Sequence, residues 1–496
     1  MFSQVSGPLG SEAQAHSHQR LDLALPGPRR PDEEIALTER VDDNDPPEST
    51  ARRGLPSESP ARDEYKRLNF DEIEAPRLTH YLFRYPAKFH PPVVHALIRE
   101  YSQPGDTLLD PYCGSGSLLV ASAVEQRHAV GADVDPVAVF IASVKTRRIQ
   151  PARLKASWAI LRPRIEATSR SSSEYERRKF EDITDREYKD AIIKANVWVP
   201  AIPNLFHWFR RYVVVDLARL LKEIWNANMP DAHRDFFRLM FASILRNTSN
   251  ADPVPVSGLE VTAHMKDIEA RGRLINPCEQ FVKATGRGIE ALTEYWELSD
   301  RDTRISVIQA DATTLANKLH RRVDGVITSP PYHNAVDYYR RHQLEMFWLA
   351  HTATQDARLA LLGLYIGRAR VRRDDRLLAF ASELGPLCKD WDRRMREVSL
   401  QRSNAFRHYV LSMKRSFTEL GKLLKAGRSA IFVLGHSKWN GEYIPTSELF
   451  VELAGADFEL RERLSYPIKN RYMSFMRHNG ANIDTEYVLA FQRTSR

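Results

Sequence analysis

The chain has 496 residues, with 72 Lys and Arg against 64 Asp and Glu, a formal net charge of +8. Its 43% apolar and 27% charged residues are ordinary for a soluble protein with a sizeable core, and the basic balance favours a polyanionic partner. No uncharged apolar run reaches the roughly 18 residues of a helical membrane span, the N-terminus lacks the basic-then-apolar pattern of a signal peptide, and the isolated Cys113, Cys278 and Cys388 have no paired metal-ligand spacing and predict a reducing compartment.

Residues 1–62 are rich in Pro, Ser, Gly and charge and poor in apolar clusters, which predicts a disordered segment. Residues 63–150 read as the first part of an α/β domain. Apolar spacing predicts a helix over Pro91–Tyr101, a strand over 107–110, a glycine turn, a helix over Ser117–Gln126 and a strand over Ala129–Asp133. That order is the βαβ signature of a parallel sheet. Residues 151–302 break the alternation with helical periods such as Val213–Trp225 and Asp235–Leu245. Strands resume at Ile305–Ile308 and 323–328 within 303–351, a basic insertion follows at 352–402, and 403–496 carry strands at Ser429–Gly435, Phe458–Leu464 and Tyr487–Phe491. The expected architecture is one α/β domain interrupted by a large helical insertion and a shorter basic one.

Two motifs carry chemistry. The first is Asp110-Pro111-Tyr112-Cys113-Gly114-Ser115-Gly116-Ser117, directly after a strand. Gly114 and Gly116 lack the Cβ that would block close approach of backbone to a ligand. Asp110 is placed to accept from a ligand ammonium group. Asp133, with Asp135 as neighbouring alternative, is placed to accept from ribose hydroxyls, and Asp311 from an adenine amino group. Each acid alone is an ordinary turn or cap residue. Three acids at three successive strand ends read as a nucleoside site, where such sheets bind ligands. Asp-Pro ahead of the glycines disfavours a dinucleotide turn.

The second motif is Ser329-Pro330-Pro331-Tyr332, at the end of the apolar run Gly325-Val326-Ile327-Thr328. An exocyclic amino nitrogen on a base is conjugated with its ring and poorly nucleophilic. Hydrogen bonds from its two N–H groups to Ser329 Oγ and the Pro330 carbonyl would localise its lone pair. Pro330 and Pro331 fix φ, so the acceptor is held without reorganisation. Tyr332 is suited to stack on a base swung out of a helix. In isolation the four residues would be a strand-ending turn.

On these two motifs the chain resembles the bacterial DNA amino-methyltransferases over 80–150 and 303–496. The family's Asp-Pro-Phe-x-Gly-x-Gly binds S-adenosylmethionine; here Tyr112 replaces the Phe. The resemblance implies a Rossmann-like, seven-stranded class I methyltransferase sheet and S-adenosylmethionine as cofactor. It also implies double-stranded DNA with a flipped target base as partner, a cognate restriction or defence component beside it, and a nucleoid-associated place in the bacterial cytoplasm. Tyr85-Pro86-Ala87-Lys88-Phe89-His90-Pro91 looks like the family segment that closes over the methionine end. The implied cofactor set is therefore Tyr85, Lys88, Phe89, Asp110, Tyr112, Gly114, Gly116, Ser117, Asp133, Asp311 and Ala312. Family members with Ser first in the clamp usually methylate cytosine N4, and those with Asp or Asn mostly adenine N6, so Ser329 favours cytosine N4.

The chain departs from the family pattern in placing its largest insertion between the second and third strands. The candidates for DNA contact are Arg210 and Arg211 within Phe206–Arg211, Arg340 just after the clamp, and Arg368, Arg370 and Arg372 in the basic insertion, with the polar stretch Arg246–Asp252 and the basic residues at 469–471 and 477–479 beside them. Core packing, helix ends and solvated loops are the competing readings of these segments. The rival functions are an adenine-N6 DNA methyltransferase, an RNA methyltransferase acting on guanine N2 or adenine N6, and a non-catalytic nucleic-acid-binding protein of the same fold.

Overall fold

The computed structural model describes residues 66–67, 75–86, 88–253, 258–333, 338–439, 442–467 and 485–495. The 1–62 segment and the basic stretches at 469–471 and 477–479 lie outside the described residues.

Seven strands build the sheet: β1 (Thr107–Asp110), β2 (His128–Asp133), β3 (Ile305–Gln309), β4 (Gly325–Thr328), β5 (Ser429–Gly435), β6 (Phe458–Pro467) and β7 (Thr485–Arg493). Their order is β6-β7-β5-β4-β1-β2-β3, and a two-residue strand, Lys66–Arg67, adds to the outer edge of β6. The pairs from β3 to β5 are parallel, and β7 enters antiparallel between β5 and β6. The chain runs outward from β1 to β2 and β3, then crosses back to β4 on the other side of β1. A crevice therefore opens at the carboxyl ends of β1 and β4, where such sheets place ligands. This order is that of a Rossmann-like class I methyltransferase sheet.

Successive strand residues face opposite sides, and each side has its own helices. Leu108, Ile327, Ile431 and Val433 pack on α1 (Pro91–Tyr101) and α2 (Ser117–Val124). Leu109, Val326, Ala430 and Phe432 face the other layer.

The insertion is not a separate lobe. The chain turns back after β2 through α3 (Pro136–Lys145), and Val137, Ile141 and Val144 of α3 share one apolar cluster with the insertion helices α4 (Pro151–Glu166), α5 (Arg211–Asn226), α6 (Asp231–Thr248) and α7 (Pro277–Leu298). The helices expected at Val213–Trp225 and Asp235–Leu245 are the middles of α5 and α6. Arg148 closes the insertion's base by donating to Ser299 Oγ (2.6 Å) and the Trp296 carbonyl (3.2 Å). The basic insertion contains α8 (Pro386–Val398) and leads into α9 (Leu400–Leu423), whose Phe406, Val410 and Phe417 cover the second face of the sheet.

Candidate active site

A cleft of about 1060 Å³ opens at the carboxyl ends of the strands. Asp110, Tyr112, Gly114 and Ser117 of the glycine turn line it, as do Asp133, Asp311 and Ala312 from the next two strand ends. Tyr85, Lys88 and Phe89 close one side, and Ser329, Pro330, Pro331 and Tyr332 another. Residues more than 200 apart in sequence thus face the same space.

Asp110 joins the two motifs. Its Oδ1 accepts from Thr328 Oγ1 (2.7 Å) and the Tyr112 amide (3.1 Å), so the residue before the clamp is tied to the residue that opens the cofactor turn. Asp133 shapes the turn from the other side, accepting from the Gly114 amide and the Asp135 amide at 2.9 Å each. Gly114 has φ +47°, and a Cβ there would lie 3.1 Å from the Tyr85 ring. Gly116 does not line the cleft. It has φ +78° and lies against α3, where a Cβ would come within 3.0 Å of Ala142, so its backbone freedom serves the turn and the packing of α2.

Asp311 caps the turn after β3 by accepting from the Thr313 amide at 2.8 Å. Tyr112 lines the cleft with its ring and donates its hydroxyl to Ser416 Oγ on α9 (2.6 Å). Lys88 donates to the His80 carbonyl at 3.3 Å and lies 3.6 Å over the Tyr81 ring. Burial lowers its amine to about 8.

Further groups surround the cleft, among them Asp135, the alternative to Asp133, and Tyr338 and His342 from the stretch just after the clamp. Asp135 caps α3 through the Val137 amide (2.8 Å) and contacts His342 Nδ1 at 2.5 Å. His342 in turn sits 5.0 Å from the Tyr85 ring, which stacks on Tyr338 at 5.6 Å. Tyr332 donates its hydroxyl to Glu486 Oε1 (3.0 Å), and Tyr466 donates to the other oxygen of the same carboxylate. Burial raises the Glu486 pKa. Leu364, Tyr365 and Ile366 reach the cleft from the basic insertion. A Cβ on Gly367 (φ +84°) would lie 2.8 Å from the Tyr332 carbonyl oxygen, so this insertion seats directly on the clamp.

The DNA-contact candidates divide. Arg210 is held by Glu269 and the carbonyls of Arg178 and Lys179, and Arg211 by Asp185 and Asp182. Both cations are neutralised inside the helical insertion. Arg246 donates to the carbonyls of Asp252 (2.7 Å) and Gly258 (3.0 Å), and Arg340 packs beside Gly258. Arg368, Arg370, Arg372 and Arg373 line a second, open groove of about 1270 Å³. Within it Arg368 is paired with Asp375, and Arg372 with Asp374.

The cleft suits a cationic nucleoside with an amino-acid end. Ser115 and Ser117 at the turn have buried hydroxyls without a partner among the described residues, and the Tyr85 ring lies over Gly114. Burial raises Asp110 to about 7 and Asp133 to about 6, the latter helped by the Asp135 charge. These acids hold protons in the fold where the unfolded chain has lost them. Stability should therefore fall as pH rises from about 4 to about 7. Affinity for a cationic ligand runs the other way and should strengthen between about pH 5 and about pH 8, as the carboxylates ionise. Isothermal titration with S-adenosylmethionine across that range checks this. A flat profile would mean that neither acid changes charge on binding.

Comparison with known proteins adds to the geometry. A family model described as DNA methylase matches residues 37–143, the stretch that includes the glycine turn. The chain is 26% identical over 189 residues to the type II methyltransferase M.MvaI of Kocuria varians, and 32% over 91 residues to the type II methyltransferase M.MjaII of Methanocaldococcus jannaschii. Over these stretches the chain is similar to DNA methylases. The matches cover 37% and 18% of this chain and span 37% and 17% of the two relatives' own lengths. Among solved structures, TrmN from Thermus thermophilus overlaps 82% of this chain and 50% of its own, at 8% identity and a TM-score of 0.28. The rRNA methyltransferase aviRa from Streptomyces viridochromogenes overlaps 86% and 94%, at 12% identity and a TM-score of 0.30. Neither overlap bears on function. Among the described residues no helix is long and apolar enough to cross a membrane, and no cluster of metal-binding side chains occurs.

Proposed function

We propose that the protein methylates an exocyclic amino group of a base in double-stranded DNA, with cytosine N4 as the target. The observation that carries this reading is the shared cleft, lined at once by the three strand-end acids and by Ser329–Tyr332. When bound, S-adenosylmethionine supplies an electrophilic methyl group.

The chain's own residues do the rest. Asp110 accepts from Thr328 and Tyr112 on Oδ1 and offers Oδ2 to the ligand's ammonium group. Asp133 serves the ribose hydroxyls and Asp311 the adenine amino group. Tyr85, Lys88 and Phe89 cover the methionine end, with Tyr85 fixed by Tyr338 and His342. Ser329 Oγ and the Pro330 carbonyl accept from the two N–H groups of the target amine, which raises its nucleophilicity in the transition state. Tyr332, pinned at its hydroxyl by Glu486, offers its ring to a base turned out of the duplex. Charge and composition support DNA over a neutral substrate.

Sequencing that resolves modified bases, run on DNA from cells expressing the protein, tests the reading. N4-methylcytosine at a fixed motif is the expected result. N6-methyladenine would move the target base but keep the chemistry, and no modified base would sink the proposal. The names of both relatives fit a restriction–modification setting, with a cognate nuclease acting at the same motif.

A further inference from the structure

We propose that the segment Gly363–Arg373 is the element that opens the duplex: its arginines hold the phosphates beside the target, and Leu364 enters the base stack where the target base leaves. The inference rests on the DNA-methylation reading and assigns a part to the insertion rather than to the helical region.

The segment divides two spaces. Leu364, Tyr365 and Ile366 line the cleft that holds the clamp. Gly363, Arg368, Arg370, Val371, Arg372 and Arg373 line the open groove beside it. A base seated in the cleft leaves its sugar–phosphate strand on the cleft rim, because the backbone stays continuous with the duplex, and this segment is the part of the rim that borders the basic groove. On that rim the chain presents an apolar side chain followed by cations. Leu364 is 42% exposed although it lines the cleft. Exposed leucines are common, so exposure alone decides nothing. The position decides it: Leu364 lies three residues before Gly367, whose backbone abuts the Tyr332 carbonyl. An apolar wedge beside an emptied base position stabilises the open duplex, and arginines on the same element hold the strands it separates.

Charge agrees with the placement. Residues 352–402 contain eleven Lys and Arg against seven Asp and Glu. Arg370 and Arg373 are exposed, and the Arg372 pair with Asp374 is exposed at both ends, so it yields readily to a phosphate. Arg210 and Arg211, by contrast, are already spent on carboxylates within their own insertion. Arg368 serves the loop itself, through Asp375 (2.7 Å) and His408 (3.0 Å).

The test uses the full chain in two arms. In the first, the combined variant Arg370→Gln, Arg372→Gln, Arg373→Gln is titrated with a random-sequence duplex across salt, without cofactor. The slope of log affinity against log salt should flatten by about 0.9 for each phosphate no longer neutralised, with cofactor affinity unchanged. An unchanged slope would overturn the arginine assignment, whatever the methylation assay shows. In the second arm, Leu364→Ala is assayed on duplexes carrying the motif found by sequencing, either paired or mismatched at the target base. Methyl transfer should fall about tenfold on the paired duplex and stay within about twofold of wild type on the mismatched one, where opening is already cheap. Equal losses on both duplexes, or no loss on either, would overturn the wedge. Wild-type protein that binds DNA but transfers no methyl to it would defeat the methylation reading and the wedge together, while the salt slope would still decide the arginines.

Discussion

Replacing Ser329 with alanine is expected to slow methyl transfer by about 10²–10³-fold, the cost of deleting one preorganised acceptor from a catalytic site, while cofactor affinity stays near wild type. The separation follows from the geometry. Ser329 sits at the end of β4, whose four residues are fully buried and whose last member, Thr328, is anchored to Asp110 at 2.7 Å. Removing Oγ leaves that anchor, the two prolines and the Tyr332–Glu486 bond in place. The turn that faces the cofactor is untouched, so the loss should appear in single-turnover methyl transfer at saturating cofactor and DNA. Adding Tyr332→Ala removes the stacking ring and leaves Glu486, a buried carboxylate, with Tyr466 alone. That double variant should be slower still and also less stable, since a weakened buried acceptor costs about 1–3 kcal/mol. Full activity in it would remove the clamp from the mechanism.

Much of this site was legible from the sequence because its parts are local. A short apolar run ending in Asp or Ser, followed by Gly or Pro, announces a strand end and a turn within eight residues. The strands at 107–110 and 429–435 lie where the pattern puts them. The turn, the acids and the clamp all carry this local signature. What escaped reading depends on contacts between distant segments. Glu486 is a lone acid on the last strand, 154 residues from the tyrosine it pins, and no spacing marks it. Leu364 and Tyr365 lie in a stretch whose visible signal is its arginines, yet Gly367 fixes them to the clamp.

The expectation that Arg210 and Arg211 face DNA rested on an aromatic and basic cluster inside a large insertion. That cluster gives no sign of Glu269, 59 residues on, which takes up the Arg210 charge. No described residue of the helical insertion lines the cleft, and α3 comes between the insertion and β2. The apolar face of that helix carries the insertion's core.

Asp133→Ala should weaken S-adenosylmethionine binding from the micromolar range, about −8 kcal/mol, by roughly 1.5–3 kcal/mol, the worth of a charge-assisted hydrogen bond. Two effects are superposed in that variant, and they can be separated. Asp133 accepts from the Gly114 and Asp135 amides at 2.9 Å each, so alanine strands two backbone donors as well as deleting the ribose partner. Asp133→Asn keeps one carbonyl acceptor and abolishes the charge. Since burial already penalises that charge, raising the acid to about 6, asparagine should leave the melting temperature close to wild type or above it at neutral pH. It should still bind the cofactor more weakly, and it should flatten the pH dependence of affinity that Asp133 supplies. If only alanine weakens binding and asparagine matches wild type, Asp133 acts by shaping the turn around Gly114 and not by meeting the ribose. If neither variant changes affinity, the acid has no part in the site, and Asp135, two residues on and already facing the same cleft, becomes the ribose partner to test.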